Sequence, residues 1–310
     1  MTDQTQEIPA RSPWGPDDEI GRLNLITEQS RAAAMEGIDP GRTFDLGVDL
    51  YVGMPSWAAA GDPSFMIWMT HTPSGNLIDN PMKRSREENE RVGYSGDSIA
   101  MYTHCGTHLD TLNHFSRYGK IWNGFNEEEH LGSRHWTKCG ADKLPPIVAR
   151  GVMLDIPGAL GMDMLPQGHA ISPDEIKKAV ERQNTPLREG DVVLVRTGRM
   201  AIYPDWEQFM VNSPGISLDS AKYLVEEGGA ILLGADNVSV EQAPSPVKDN
   251  WVPVHCYCFQ EVGVCLLEFA NLEPLAEAGV YEFCFIGTPL KIRGATGAPL
   301  RPIAMAYRDR

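Results

Sequence analysis

The run His104-Cys-Gly-Thr-His108-Leu-Asp110-Thr-Leu-Asn-His114 holds three of the chain's eight histidines and one aspartate. Half-buried imidazoles and carboxylates are costly in a fold unless something pairs with them. A divalent metal is the simplest such partner, and nitrogen with oxygen donors suits zinc, manganese or iron. Gly106 and Thr107 are poor helix formers, so the run does not read as one regular helix. It therefore differs from the helical metalloprotease pattern, in which two His sit one turn apart with a Glu beside the first. Cys105 stands in that Glu's place. A tight bend at Gly106 would instead fold His104, His108 and Asp110 onto one point. The plainer alternative is a group of partly exposed loop histidines, and the local concentration of His weighs against it.

The 310 residues allow one large domain or two ordinary ones. With 42% hydrophobic and 22% charged residues, a sizeable core is expected. A net charge of −15 argues against nucleic acid or an anionic membrane as partner. No apolar run approaches the roughly 20 residues that span a bilayer. The polar start MTDQTQEIPARSPW has no signal-peptide core, so a cytoplasmic enzyme is expected. Six cysteines occur and none forms a CxxC pair. Most read as small buried residues in a reducing compartment. Cys105 reads as a wall residue ahead of a nucleophile.

Residues 1–13 read as a flexible arm and 14–310 as one domain. Thr27 with Glu28 caps a helix over Gln29–Met35. Residues 43–51 alternate as a strand. The Pro-, Gly- and charge-rich stretch 72–97 reads as a long surface excursion, either a lid or an ordinary insertion. Ser98–Thr103 then delivers the His run. From residue 147 the pattern is α/β: strands over Ile147–Leu154, 190–197, Ala230–Gly234 and Val262–Phe269, with last strands over Tyr281–Gly287 and Leu290–Ile292. Ser172-Pro-Asp-Glu and Ser217-Leu-Asp-Ser open capped helices. Interleaved strands and helices without a linker predict one α/β domain with a mixed sheet.

A second group lies downstream: His255, then Glu268 in an otherwise apolar strand, with Asp236 and Glu241 upstream. A carboxylate among Val, Cys, Leu and Phe needs a cation unless its strand has one wet face. Asp236 at a strand end is either a site residue or a turn former. His130 and His135, five apart, read as non-ligands. Trp57, Phe65, Trp68, Trp122 and Phe125 are candidate pocket walls for a flat ring, with Trp57, Trp122 and Phe125 foremost, although residues of these types more often belong to a core.

The run His104-x-Gly-Thr-His108-x-Asp110-x-x-x-His114 resembles the signature of the cyclase-like, kynurenine formamidase family of metal-dependent hydrolases. Trp14-Gly-x-x-Asp-Glu-x-Gly-x-Leu-Asn, Gly53-Met54-Pro55, Asp191-Val-Val-Leu-Val-Arg-Thr-Gly198, Gly234-Ala-Asp236, and His255 with Gly263 and Glu268 fit the same family in order. The resemblance implies a swivelling β/β/α architecture, assembled as a homodimer or homotetramer. It implies His104, His108 and Asp110 as metal ligands and His114 as the catalytic acid/base. His255 and Glu268 would join Asp110 around a second ion in two-metal members, or line the substrate site in one-metal members. Leu112 stands where the family commonly has Pro, which touches pocket shape rather than ligands. The long N-terminus and the 72–97 excursion lie closer to the lactone hydrolases than to the short formamidases.

The expected chemistry follows from the residue types. A Mn2+ or Zn2+ ion, one or two per chain, acidifies a bound water from about 15.7 towards roughly 7. The hydroxide attacks a carbonyl carbon in a ring of a small molecule, and His114 carries the proton to the leaving atom. The expected substrate is a cyclic ester such as a dienelactone, with a cyclic amide, imide or arylformamide as the near alternative. A non-catalytic metal-binding protein and a Cys105-dependent hydrolase are the readings from other classes.

Overall fold

Continuous apolar strands belong in the middle of a sheet covered on both faces, and here they lie there. The computed structural model describes residues 11–308. Ile147–Asp155, Val192–Arg196, Leu232–Ala235 and Cys265–Glu268 form a parallel block at the centre of a nine-stranded sheet. Antiparallel strands extend it on both sides. Glu282–Gly287, Ile303–Tyr307 and Ile38–Asp45 follow one another outward from Ile147–Asp155. His108–Asp110 and Gly297–Pro299 follow outward from Cys265–Glu268. The fold is thus an α/β domain built on this one large mixed sheet, with helices packed against it and two small two-stranded pairings outside it.

The capping signals hold. Thr27 caps Glu28–Met35 in a reciprocal box with Ser30. Ser172 caps Pro173–Gln183 through Glu175, and that helix buries Ile176 and Ala179. Ser217 caps Leu218–Lys222, which continues as a wider turn over Tyr223–Glu227. Each of these ends is decided locally, because a hydroxyl satisfies a backbone N–H that the helix leaves open.

Several boundaries differ from expectation. The strand expected over 43–51 runs instead over Ile38–Asp45, and Gly47 to Tyr51 form a loop. The strand takes in Pro40 and Gly41 because it is at the sheet edge and bulged, where Pro is tolerated. Leu290–Ile292 is irregular rather than a strand, and the last strands are Gly297–Pro299 and Ile303–Tyr307. The 72–97 excursion is structured. It is a ribbon of Met66–His71 against Gly96–Ala100, carrying the short helices Pro73–Asp79 and Arg86–Arg91 at its end. The strand expected over Ser98–Thr103 stops at Ala100.

Of the arm expected over 1–13, residues 1–10 lie outside the described residues. Ser12 is held, donating from its amide to Asn123 Oδ1 and from its hydroxyl to Asp18. Asp18 also accepts from the Trp122 indole, and Glu19 accepts from the Cys139 amide. The Trp14 to Asn24 motif is therefore a clamp on the body of the domain. Arg22 donates its amide to the Gly263 carbonyl at 2.7 Å, and a side chain at Gly21 would collide with that carbonyl. No helix among the described residues is long and apolar enough to cross a membrane.

Candidate metal centre

His108 and Glu268 are directly opposed on neighbouring antiparallel strands. Side chains alternate along a strand, so Asp110 shares their face while Leu109 enters the core. The bend before them is at Gly106, whose φ is +63°. A side chain there would meet Leu50 and Met54. Thr107 secures the turn by donating to the Phe269 carbonyl at 2.7 Å and accepting from the Val48 amide at 2.9 Å. Thr111 then ties the strand's exit to the Thr296 carbonyl, and the turn to His114 closes on the Thr111 carbonyl. Each polar residue of the motif thus has a positioning bond or faces the site. Gly297 completes the geometry, because a Cβ there would overlap the His104 ring.

Two imidazoles have their outer nitrogens committed. His108 Nδ1 lies 2.8 Å from the Gly106 carbonyl, an acceptor only, so that nitrogen carries the proton. Its Nε2 lone pair then faces Asp110 Oδ1 at 3.1 Å and Glu268 Oε2 at 3.4 Å. His255 repeats the pattern. Its Nδ1 donates to Glu241, which also accepts the Val254 and His255 amides. Its Nε2 faces Glu268 Oε1 at 3.4 Å and Asp110 Oδ2 at 3.8 Å. His104 Nδ1 lies 2.6 Å from Asp110 Oδ1, and its Nε2 meets Thr296 Oγ1 at 2.9 Å.

Lone pairs pointed at buried carboxylates repel one another unless a positive charge lies between them. His108 Nε2 and Asp110 Oδ2 are buried without a hydrogen-bond partner. Burial alone would depress the His108 imidazole, yet Asp110 and Glu268 lift it to about 10. His255 is likewise lifted well above its ordinary value against the opposing effect of burial, by Glu241 and Glu268. The pocket draws in positive charge, and the residues present fit a divalent ion. His104, His108 and Asp110 place ligand atoms within 4.8 Å of one another, and so do Asp110, His255 and Glu268. The donors are nitrogen and oxygen throughout, a set that suits zinc or manganese.

His114 stands apart from these five. Its ring stacks on His104 at 3.8 Å, and its Nε2 lies 3.8 Å from Asp110 Oδ2. Of the six site side chains it has the most solvent access. Burial holds it well below the ordinary imidazole value, outweighing Asp110, with His104 and His255 acting in the same direction as burial. A neutral imidazole beside the ligands can accept a proton.

The aromatic walls are not those expected. Trp122 is buried in the core, its indole bonded to Asp18 and its ring against Gly263. Phe125 packs on the core edge, beneath Lys138 and edge-on to His130. Trp57 packs on a side cluster that includes Phe269, which in turn lies 5.8 Å from His108. The rings nearest the site imidazoles include Phe115, 4.4 Å from His114 and 5.0 Å from His255, and Tyr102, 4.9 Å from His104, with Phe259 5.5 Å from His255 behind them. The exposed Trp251 leans edge-on against Phe115 at 5.4 Å. Only proximity in space marks Phe115, Tyr102 and Trp251, since each lies in a loop with no periodic pattern.

Other candidates have structural roles. Asp236 accepts from the Thr197 amide and hydroxyl and from the Gly198 amide. Cys105 is buried, donates to the Tyr102 carbonyl, and has its thiol pushed up to about 11 by burial. That is the wrong direction for a nucleophile. His130 and His135 bond locally, to Thr137 and to the Trp136 carbonyl. Leu112 is fully buried in the main core.

Comparison with known proteins bears on the family and the fold. The sequence profile of the Cyclase family matches residues 44–242. Cyclase-like protein 3 of Oryza sativa subsp. japonica is 26% identical over 302 residues, covering 95% of this chain and 90% of that protein. The crystal structure of a novel cyclase superposes with a TM-score of 0.84 at 28% identity, over 96% of this chain and all of the other. Isatin hydrolase A from Ralstonia solanacearum shares the fold, with a TM-score of 0.64 at 18% identity over 86% and 92% of the two chains. With its signature run, its sheet and a profile match over more than half its length, the chain belongs to the Cyclase family.

Proposed function

We propose that this protein is a metal-dependent hydrolase that opens a carbonyl-containing ring of a small molecule, with an aryl-fused cyclic amide as the leading substrate class. The observation that carries the hydrolase reading is the buried Nε2 of His108 facing two carboxylates, with a neutral His114 alongside. His104, His108 and Asp110 would hold one divalent ion, and Asp110, His255 and Glu268 could hold a second; such an ion would supply Lewis-acid polarisation of a carbonyl and acidification of water. The chain's own residues do the rest. His114 takes a proton at Nε2 and returns it to the leaving nitrogen or oxygen. Phe115 and Tyr102 flank the imidazoles and shield them from bulk water, and Phe115 with Trp251 offers faces for a flat ring.

Those rings favour an aryl-fused substrate, and the shared fold with isatin hydrolase A supports a cyclic amide. The cyclic ester expected from the sequence is the second reading, since the same proton transfer serves an oxygen leaving group. The free His114 beside the ligands speaks against a purely structural metal site. The test is elemental analysis of the purified protein together with hydrolysis of isatin, an aryl-fused lactone, a dienelactone and an arylformamide, before and after chelation. Stoichiometric zinc or manganese, with ring opening lost to chelator and restored by that metal, is the expected result. Metal-free protein with undiminished hydrolysis overturns the reading. The ratio of kcat/KM for isatin to that for the dienelactone decides between amide and ester.

A further inference from the structure

His104 meets the site differently from the other two ligand imidazoles. His108 and His255 commit Nδ1 to an outside acceptor, the Gly106 carbonyl and Glu241, and turn Nε2 inward. His104 has the reverse arrangement. Its Nδ1 lies 2.6 Å from Asp110 Oδ1, and its Nε2 lies 2.9 Å from the hydroxyl of Thr296, 192 residues along the chain. An imidazole nitrogen binds a metal through its lone pair, so the proton must sit on the other nitrogen. The partner of that other nitrogen selects the tautomer. The competing state is a ring flip. Turning the His104 ring by 180° puts a carbon where each nitrogen was and aims a C–H at Asp110. Ring shape barely separates the two orientations, so hydrogen bonding has to decide.

We propose that Thr296 is a positioning residue for the metal centre: its hydroxyl accepts the His104 Nε2 proton, so that His104 offers Nδ1 to the ion while His108 and His255 offer Nε2. The proposal rests on the metal reading above and names the device that orients one ligand. The backbone around Thr296 is built for it. The Thr296 carbonyl accepts both the amide and the hydroxyl of Thr111, the neighbour of Asp110, and Gly297 pairs with Asp110 across the strands. The preceding turn is pinned as well, since the Gly294 amide donates to Asp142 and the Ala295 carbonyl accepts from the Ala141 amide. The hydroxyl and the carboxylate that grip the two nitrogens of the ring therefore belong to one fixed unit. Gly297 lets that unit close on the ring, for a Cβ there would lie 2.5 Å from Cε1 and 2.8 Å from Nδ1. A hydroxyl rotates and can donate or accept. Threonine thus keeps its bond to Nε2 whether or not that nitrogen carries the proton, which valine, of nearly the same shape, cannot do.

The test is competitive zinc titration of the full-length apoprotein, wild type against Thr296→Val and Thr296→Ser, with melting curves of each apoprotein. Long-range 15N–1H spectra of the zinc-loaded, histidine-labelled wild type read the tautomers directly. Thr296→Val should weaken zinc binding about 10- to 100-fold, the usual cost of a lost supporting bond, and Thr296→Ser should restore the wild-type constant. In the loaded protein His104 should carry its proton on Nε2 and His108 on Nδ1. A merely structural Thr296 would lower the melting temperature of the Val variant and leave its zinc constant in place, and that result overturns the proposal. So does a loaded wild type with the His104 proton on Nδ1. A wild type without zinc affinity removes the metal reading and this proposal together. An unchanged Val variant of a zinc-binding protein removes this proposal alone. If the Val variant fails to fold, the wild-type tautomers decide.

Discussion

Asp110 and Asp236 are both fully buried acids on or just after strands of the same sheet, yet their surroundings are opposite. Asp236 receives three hydrogen-bond donors from Thr197 and Gly198. Those donors offset part of the cost of burial, which still lifts its carboxyl to about 6, and it joins the ends of two parallel strands. Asp110 faces imidazole nitrogens, and its Oδ2 has no hydrogen-bond partner. A buried acid wrapped in N–H groups is complete by itself. One whose Oδ2 meets only imidazole nitrogens beyond hydrogen-bond distance fits a cation, so the environment of the carboxylate separates a structural acid from a candidate ligand.

The largest effect expected from this contrast is at Asp110. Asp110→Ala should leave the protein without stoichiometric metal and without measurable turnover, while Asp236→Asn should keep its metal. Equal metal content in both variants, measured by elemental analysis, would dissolve the distinction. Next comes His114. His114→Ala should lower kcat by about 10²- to 10⁴-fold, the usual range for a lost acid/base, with metal content unchanged. Since His114 is held well below its ordinary value, it stays a base on acidification. The acid limb of kcat/KM in the wild type should therefore lie below about pH 6.5. Near-normal turnover in the variant would remove His114 from the chemistry.

Glu241 sharpens the comparison from outside the ligand set. It holds the His255 Nδ1 and two backbone amides, so it aims the His255 lone pair at Asp110 and Glu268. Glu241→Gln should weaken metal binding about 10- to 100-fold, as the loss of such supporting bonds does, by calorimetric titration of the apoprotein. An unchanged affinity would show that His255 needs no such support. The smallest effect is expected at Asp236, where Asn cannot accept from three donors at once. Its cost should be about 1–3 kcal/mol of unfolding free energy, read by denaturant titration.

Much of the central site was readable because it is local. Gly106 turns the chain, His108 and Asp110 share a strand face, and their spacing announces as much. Capped helices and apolar central strands were readable for the same reason, since Ser172, Ser217 and runs such as Val192 to Val195 act on near neighbours. Even Glu268 could be suspected, as a lone carboxylate in an apolar strand. The substrate walls were not. Trp122 has the right chemistry for a flat ring, but Asp18, more than one hundred residues away, claims its indole. Phe115 and Trp251 meet at the site only because the loop after residue 241 folds back over it.

The ribbon shows the same limit. Its composition of Pro, Gly and charge reads as a surface excursion, because the strand Met66–His71 that organises it lies outside that stretch and pairs with Gly96–Ala100 far along the chain. Sequence by itself determined the ligand-bearing turn, the helix ends and the α/β class, all of which depend on neighbours within a few residues. The family resemblance already named His255 and Glu268 as neighbours of Asp110; tertiary structure alone decided that Glu241 backs His255 and which aromatic rings border the site. The physical reason is that burial, lone-pair direction and charge balance are properties of a packed environment, assembled from segments that carry no record of one another.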